Sequence, residues 1–231
     1  MSAARARSFD HMATHFDRFA ELVGGPLDEF IEELLPEAGG EQAVDLGCGT
    51  GRHAALLAAR YRQVLAVDIS GPMLELAMAR RGLANIDYQQ RDLCEVRADT
   101  DGAFHLVLSA YALHHVDDLD QTLRDIRELA APGGRVVLVD NVAPRPAVPR
   151  RWFWGEAIRI LVGDLARRRR PSEEAWELFR LNVDPGWLDH LTSDRFLDPQ
   201  QFAERYSTVF PGAAFTDLYR ARAICWDAPT G

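Results

Sequence analysis

The feature that most constrains the fold is an apolar run that ends in three glycines at alternate positions: Val44-Asp45-Leu46-Gly47-Cys48-Gly49-Thr50-Gly51-Arg52. A second apolar run, Val64-Leu65-Ala66-Val67, closes on Asp68. A strand that feeds a glycine turn and then a helix lets backbone N–H groups approach a ligand closely, because glycine has no Cβ and tolerates positive φ. An acid ending the next strand stands where a carboxylate can accept hydrogen bonds from two ribose hydroxyls. Together the two runs read as a βαβ unit that binds a nucleoside.

The spacing narrows the nucleoside. A dinucleotide turn reads G-x-G-x-x-G, whereas Gly47, Gly49 and Gly51 give G-x-G-x-G and Arg52 holds the place of the third glycine. Asp45, two residues before the first glycine, suits a ligand carrying an ammonium group and would repel a pyrophosphate. The phosphate loop G-x-x-x-x-G-K-[ST] is excluded, since all 26 basic residues are arginine. The same composition excludes a lysine general base or Schiff base.

Hydrophobic periodicity extends the pattern along the chain. Strands are expected at 43–47, 63–68, 86–90, 104–110 and 134–140, and helices at 51–60, 71–81 and 118–130. Two earlier helices are expected at 8–23 and 27–35, the first with Phe9, Met12, Phe16, Phe19 and Val23 at helical spacing. Runs at 213–219 and 221–227 form a hairpin-like pair. Alternating strands and helices predict a parallel wound sheet. About 70 residues separate strand 134–140 from the final pair, far more than a crossover needs. Helical pieces are expected there at 149–169, 172–181 and 199–207, punctuated by Pro185-Gly186-Trp187 and Asp198-Pro199.

Asp-Leu-Gly-Cys-Gly-Thr-Gly at 45–51, with Asp68 after the next strand, resembles the class I S-adenosylmethionine-dependent methyltransferases, in their small-molecule branch. Arg91-Asp92-Leu93 is similar to the motif after the family's third strand. Leu106 to Val116, which contains Ser109-Ala110-Tyr111-Ala112-Leu113-His114-His115, resembles its fourth-strand motif. Pro132-Gly133-Gly134 before Arg135–Asp140 resembles its fifth. The resemblance covers roughly residues 40–142 and the two C-terminal runs. It implies an α/β fold with a Rossmann-like wound, seven-stranded, mostly parallel sheet, an antiparallel last strand and a helical cap. It also implies four segments: an N-terminal helical cap (1–40), a cofactor-binding core (41–142), a helical substrate lid (143–210) and C-terminal strands completing the sheet (211–231).

The resemblance implies S-adenosylmethionine as cofactor and S-adenosylhomocysteine as product. Asp45, Gly47, Cys48, Gly49 and Gly51 would hold the methionine part, and Asp68 the ribose. Ile69 and Met73 would pack on the adenine, where plain core packing is the competing reading. Asp92, beside Leu93, would meet the adenine amine, and the Ser109 backbone would lie near the ammonium. Methyl transfer is an in-line displacement that chiefly needs alignment and exclusion of water, and a base only if the acceptor must lose a proton. Candidates are His114, His115, His11 and His15, with Tyr111 lining the pocket. The His114-His115 pair also fits a loop-shaping role. His11 and His15 are spaced i, i+4 as metal ligands can be, but no third ligand accompanies them. Val139-Asp140-Asn141 looks like the Asp-Asn metal ligands of catechol-type O-methyltransferases, yet Ser109-Ala110 stands where those enzymes need a carboxylate. No metal is therefore expected. Phe16 and Arg18 are further residues that the N-terminal helix could turn towards the site.

Net charge −9 and a pI near 5.3 argue against broad nucleic-acid binding. The [DN]-P-P-[YF] signature of amine-methylating nucleic-acid enzymes is absent as well. Against this background, residues 145–170 carry eight arginines and two acids, headed by Trp152-Phe153-Trp154. Three readings remain open: a solvated helix end, a lid over an anionic or aromatic substrate, and a peripheral membrane or polyanion contact through 150–170. Three cysteines without a C-x-x-C pair fit a reducing, cytoplasmic setting. No run of eighteen apolar residues and no signal peptide is evident. The leading expectation is O-methylation of a small natural product or carboxylate. The alternatives are C- or N-methylation of a quinone-like or lipid-like acceptor, and a cofactor-retaining protein that does not methylate.

Overall fold

The structure is a computed structural model that describes residues 12–36 and 40–230. Its elements are α1 (Ala13–Val23), α2 (Gly25–Leu34), β1 (Gly40–Leu46), α3 (Arg52–Ala58), β2 (Tyr61–Asp68), α4 (Gly71–Arg81), β3 (Ile86–Gln90), a one-turn α5 (Ala98–Asp101) and β4 (Phe104–Ala110). There follow α6 (Leu119–Glu128), β5 (Ala130–Asn141), α7 (Arg150–Arg167), α8 (Ser172–Asn182), α9 (Pro185–Ser193), α10 (Pro199–Val209), β6 (Ala214–Leu218) and β7 (Ala221–Asp227). Seven strands form one sheet in the order β3-β2-β1-β4-β5-β7-β6. The first five are parallel, and β7 runs antiparallel between β5 and β6. The expected wound sheet with an antiparallel closing strand is thus the observed one.

The central strands are apolar without alternation because both faces are covered. Val44, Leu46, Leu106, Leu108 and Val136 to Val139 are at most 1% exposed. On one face they pack with Leu123 and Ile126 of α6 and with Phe202, Tyr206 and Val209 of α10. On the other they pack with Ile31 of α2, Ala54 and Leu57 of α3, and Leu74 of α4. Strand order reverses between β1 and β4. The crevice beyond their C-terminal ends is the switch point at which open α/β sheets bind ligands.

Two elements depart from the sequence expectation. Pro185-Gly186-Trp187 opens a helix, α9, and does not interrupt one. Asp184 is its N-cap, accepting from the Trp187 N–H at 3.0 Å, and Pro185 takes the first turn, where its missing N–H is harmless. The segment 143–210 does not pack as one lid either. Its last helix, α10, is starts with a capping box on Asp198 and Gln201 and sits in the main core beneath the sheet. Elsewhere in the segment, Phe153 of α7 and Leu188 of α9 form a separate small cluster with Ala143, Val148 and Phe196 from the flanking loops.

This outer layer is fastened to α1. Arg18 donates to both carboxylate oxygens of Glu177 on α8, at 2.8 and 2.7 Å. Asp17 of α1, 1% exposed, pairs with Arg80 and with Arg81 at 2.7 Å, at the end of α4. The part of the expected N-terminal helix at 8–11, with Phe9 and His11, lies outside the described residues. Among the described residues no helix is long and apolar enough to cross a membrane.

Candidate active site

The glycine turn is built at the end of β1. Gly47, Gly49 and Gly51 have φ of 76°, 52° and 78°, a region that side chains with Cβ rarely adopt. Gly47 and Cys48 both donate their N–H to the Val67 carbonyl at 2.9 Å, which stitches the turn to β2. A Cβ on Gly47 would lie 2.4 Å from the Ala112 Cβ, and one on Gly51 would lie 2.5 Å from the Tyr88 hydroxyl. Gly49 faces a more open side, where its nearest neighbour is Phe16 of α1 at 3.6 Å. Arg81 links the turn to α1, since it donates both to Asp17 and to the Thr50 carbonyl at 2.9 Å.

Asp45 is 1% exposed, and its Oδ2 has no hydrogen-bond partner among the described residues. Burial pushes its carboxyl up to about 6; nearby His53 and the Ala54 N–H oppose the shift, and Asp68 adds to it. A buried acceptor left open beside a turn of backbone N–H groups fits the ammonium end of an amino-acid-bearing nucleoside. Asp68 accepts from the Gly49 N–H at 2.8 Å and the Ser70 N–H at 2.9 Å, so it also shapes the turn. Ser70 then caps α4 through the Met73 N–H.

The other expected cofactor residues spread around this crevice. Ile69 is half-buried, and its carbonyl accepts from the Gln90 amide at 3.2 Å. Met73 is buried. Asp92 caps a short turn through the Cys94 N–H at 3.0 Å; burial works against its charge, but that bond helps hold its pKa below the ordinary carboxylate value. Leu93 Cδ2 lies 3.7 Å from the Cβ position of Gly47. The Ser109 hydroxyl donates to the Leu46 carbonyl at 2.8 Å, bracing β4 against β1.

Beyond the end of β4 the chain turns sharply. Tyr111 has φ 60°, unusual for an aromatic residue, and its N–H donates to the Val139 carbonyl at 2.8 Å. Burial pushes its hydroxyl up to about 12. His114 and His115 follow in a short 3-10 turn (Leu113–His115), with their rings 3.9 Å apart. His114 Nδ1 lies 2.5 Å from Asp140 Oδ1, at the end of β5. Asp194, just past α9, brings Oδ2 to 3.7 Å from His114 Nε2 and to 3.6 Å from His190 Nε2; its Oδ1 lies 3.6 Å from His115 Nδ1.

His15 is not part of this cluster. Its ring packs on Trp187 at 5.6 Å, Trp187 on His190 at 5.4 Å, and His190 on His115 at 5.5 Å. Phe16 and Phe19 also face Trp187. The indole Nε1 of Trp187 and Nε2 of His15 are buried without a partner among the described residues. Trp187, His190 and Asp194 were not singled out from the sequence, although Asp184-Pro185 is a helix-start signal and His190 with Asp194 has i, i+4 spacing. Arg220, also missed, has φ 57° in the β6–β7 turn and lies over the Trp152 ring at 4.3 Å. A surface depression of about 440 Å3 lined by Phe30, Leu34, Arg135 and Trp226 opens at the opposite, N-terminal edge of the strands and shares no residue with this site.

The chain is similar to known proteins in sequence and in fold. A family model described as a methyltransferase domain matches residues 43–134. An uncharacterised methyltransferase of Mycobacterium tuberculosis is 31% identical over 206 residues, covering 87% of this chain and 94% of its own. A malonyl-[acyl-carrier protein] O-methyltransferase of Halorhodospira halophila is 31% identical over 223 residues, covering 92% of this chain and 68% of its own. A demethylmenaquinone methyltransferase of Clavibacter sepedonicus is 26% identical, covering 84% and 80%. Among solved structures, the DhpI–SAH complex has the same fold, with a TM-score of 0.65 and 21% identity, over 99% of this chain and 100% of its own. With the glycine turn, the acid after β2 and the sheet order all in place, this chain belongs to the class I S-adenosylmethionine-dependent methyltransferases, enzymes that take a methyl group from S-adenosylmethionine and release S-adenosylhomocysteine.

Proposed function

We propose that this enzyme methylates an oxygen of a small acceptor, a carboxylate or an acidic hydroxyl, held between the glycine turn and the α1–α9 layer. The observation that carries this reading is the buried cluster of His114, His115, Asp140 and Asp194 beside the crevice. An oxygen acceptor reacts as its anion, so a site for it needs groups that take up a proton or hold the ionised form. Asp140 orients the His114 ring through Nδ1; for a hydroxyl acceptor His114 or the neighbouring His115 takes up that proton, with Asp194 beside both to stabilise the resulting imidazolium, while a carboxylate acceptor arrives ionised. Tyr111 closes the same wall. His15 stands farther out, against Trp187, where it would contact the acceptor body.

S-adenosylmethionine, when bound, supplies a methyl group already activated on a sulfonium. In this reading Asp45 receives its ammonium, and the backbone of Gly47, Cys48, Gly49 and Gly51 lines its amino-acid end. Asp68, which accepts from Gly49 and Ser70 at the turn, meets the ribose. Ile69, Met73 and Leu93 border the adenine, Asp92 meets its amine, and the Ser109 backbone lies beside the ammonium. Phe16 covers Gly49, and α7 to α9 close over the acceptor and exclude water, which is the lid role. The relative that methylates an oxygen of malonyl-[acyl-carrier protein] supports a carboxylate acceptor.

A second reading has its own support. Phe16, Phe19 and Trp187 make an aromatic wall suited to a flat, lipid-like ring, and one relative is a demethylmenaquinone methyltransferase. Calorimetry with S-adenosylhomocysteine, then methyl-transfer assays on carboxylic acids, phenols and quinols, separate the readings. Transfer to oxygen, lost in His115→Asn with cofactor affinity retained, is the expected result. Transfer to ring carbon alone would favour the second reading, and tight cofactor binding without transfer to any acceptor would mark a non-methylating protein.

A further inference from the structure

We propose that His114, His115 and Asp194 form a binding site for one divalent transition-metal ion at the acceptor end of the crevice, with His190 beside it. The donors come from places far apart in the chain. His114 and His115 are adjacent on the turn after β4, and Asp194 stands at the C-terminal end of α9, four residues after His190. His114, His115 and Asp194 each offer a ligand atom within 4.8 Å of the others. The separations from Asp194 to the imidazole nitrogens are 3.6 to 3.7 Å. Two ligands held about 2.1 Å from one zinc-like ion in tetrahedral geometry stand about 3.4 Å apart. Each of these separations from Asp194 is therefore close to that of two ligands sharing an ion.

The surroundings match a metal site as well. His114 turns Nδ1 to Asp140, which also accepts the Asn141 N–H at 2.8 Å, and so directs Nε2 towards Asp194. A carboxylate fixing the second nitrogen of a ligating imidazole is the usual support for such a ligand. Phe196 packs on His114, and Trp187 on His190, giving the site an apolar wall. An imidazole-rich set with one carboxylate selects zinc, cobalt, nickel or ferrous iron over magnesium or calcium. No sequence motif carries this set, which is why the chain alone points to a metal-free site.

The proposal rests on the oxygen-methylation reading only for its function. With the ion bound, the imidazoles would be ligands and not bases. Three protein ligands would leave a fourth position for the acceptor oxygen, whose O–H would have its pKa lowered and would give its proton to water. With no ion, an imidazole takes that proton.

Untagged, chelator-treated protein titrated with Co2+ tests the proposal. The expected result is visible d–d absorption that saturates at one equivalent and is displaced by Zn2+. Asp194→Asn and His115→Asn should each weaken Co2+ binding at least about tenfold, whereas His105→Asn, exposed on β4, should not. Absence of the band in the natural chain, or unchanged affinity in Asp194→Asn, overturns the proposal. Should the variants fail to fold, X-ray absorption of the zinc-loaded natural chain decides: two or more imidazole ligands support the site, and fewer overturn it. Parallel calorimetry with S-adenosylhomocysteine keeps the two readings apart. Cofactor binding without Co2+ binding removes the ion alone, and Co2+ binding without cofactor binding removes the cofactor reading.

Discussion

Asp45 illustrates how burial sets the charge state of one residue beside the glycine turn. Its folded pKa, raised to about 6 by burial, lies above the ordinary carboxylate value. Between those two values the folded chain holds a proton that the unfolded chain has lost. This group therefore adds stability to the ligand-free protein as pH falls through 6 and removes it as pH rises. An ammonium ligand reverses the preference, because it needs the ionised form. S-adenosylhomocysteine affinity measured by calorimetry should fall up to about tenfold per pH unit below 6, and Asp45→Asn should abolish that dependence along with most of the affinity. A flat profile from pH 5 to 7 would move the ammonium elsewhere. The glycines make a second residue-scale contrast. Gly47→Ala meets Ala112 at 2.4 Å as well as an unfavourable φ, and should cost about 2–4 kcal/mol in denaturant unfolding. Gly49→Ala, with Phe16 at an ordinary 3.6 Å, should cost about 1–2 kcal/mol. The turn and its two acids were legible in the sequence because φ, chain direction and residue type are local properties. The bond from Gly49 to Asp68 was not, since it depends on how β1 and β2 align.

The decisive contacts between elements run through α1. Asp17 is buried against Arg80 and Arg81, and Arg81 reaches the Thr50 carbonyl in the glycine turn. Removing the charge of a buried partner strands the others, so Asp17→Asn should lower unfolding free energy by about 3 kcal/mol and weaken cofactor binding by loosening α1. Arg18→Ala breaks a solvent-exposed pair with Glu177 and should leave the denaturant midpoint almost unchanged. The arginine run divides in the same way. Arg167, Arg168 and Arg169 are exposed, whereas Arg170 pairs with buried Asp164 at 2.8 Å and donates to the Leu22 carbonyl of α1. Arg170→Gln should destabilise by about 1–3 kcal/mol. The triple replacement of Arg167–Arg169 by Gln should leave stability within about 0.5 kcal/mol; a large rise in acceptor KM for it would restore the substrate-lid reading of these arginines. Trp154, Ile158, Val162 and Leu165 stay exposed along α7. Helical periodicity located α7 and α8 in the sequence. It missed α9 because a Pro-Gly pair serves equally well to end a helix and, behind an aspartate cap, to begin one.

At the scale of the molecule, a seven-stranded sheet covered on both faces carries an outer layer of α1 and α7 to α9 with a small core of its own. Fewer buried contacts per residue make local opening easier. Amide exchange should therefore be slowest in β1, β4 and β5 and faster in α1 and α9, and S-adenosylhomocysteine should protect α1 together with the glycine turn. Protection confined to the turn would remove α1 from the cofactor site. The sequence by itself determined the wound sheet, the glycine turn, Asp45, Asp68 and the family, because periodicity, glycine φ and strand-end acids are fixed within a few residues of chain. Only the tertiary structure decided that α10 belongs to the core and that Asp17 clamps α1 to α4. The same holds for the meeting of His114 and His115 with Asp140, His190 and Asp194. Those groups lie on elements whose apolar faces fix which layer they join, and it is the packing of the layers that sets side chains distant in sequence a few ångströms apart.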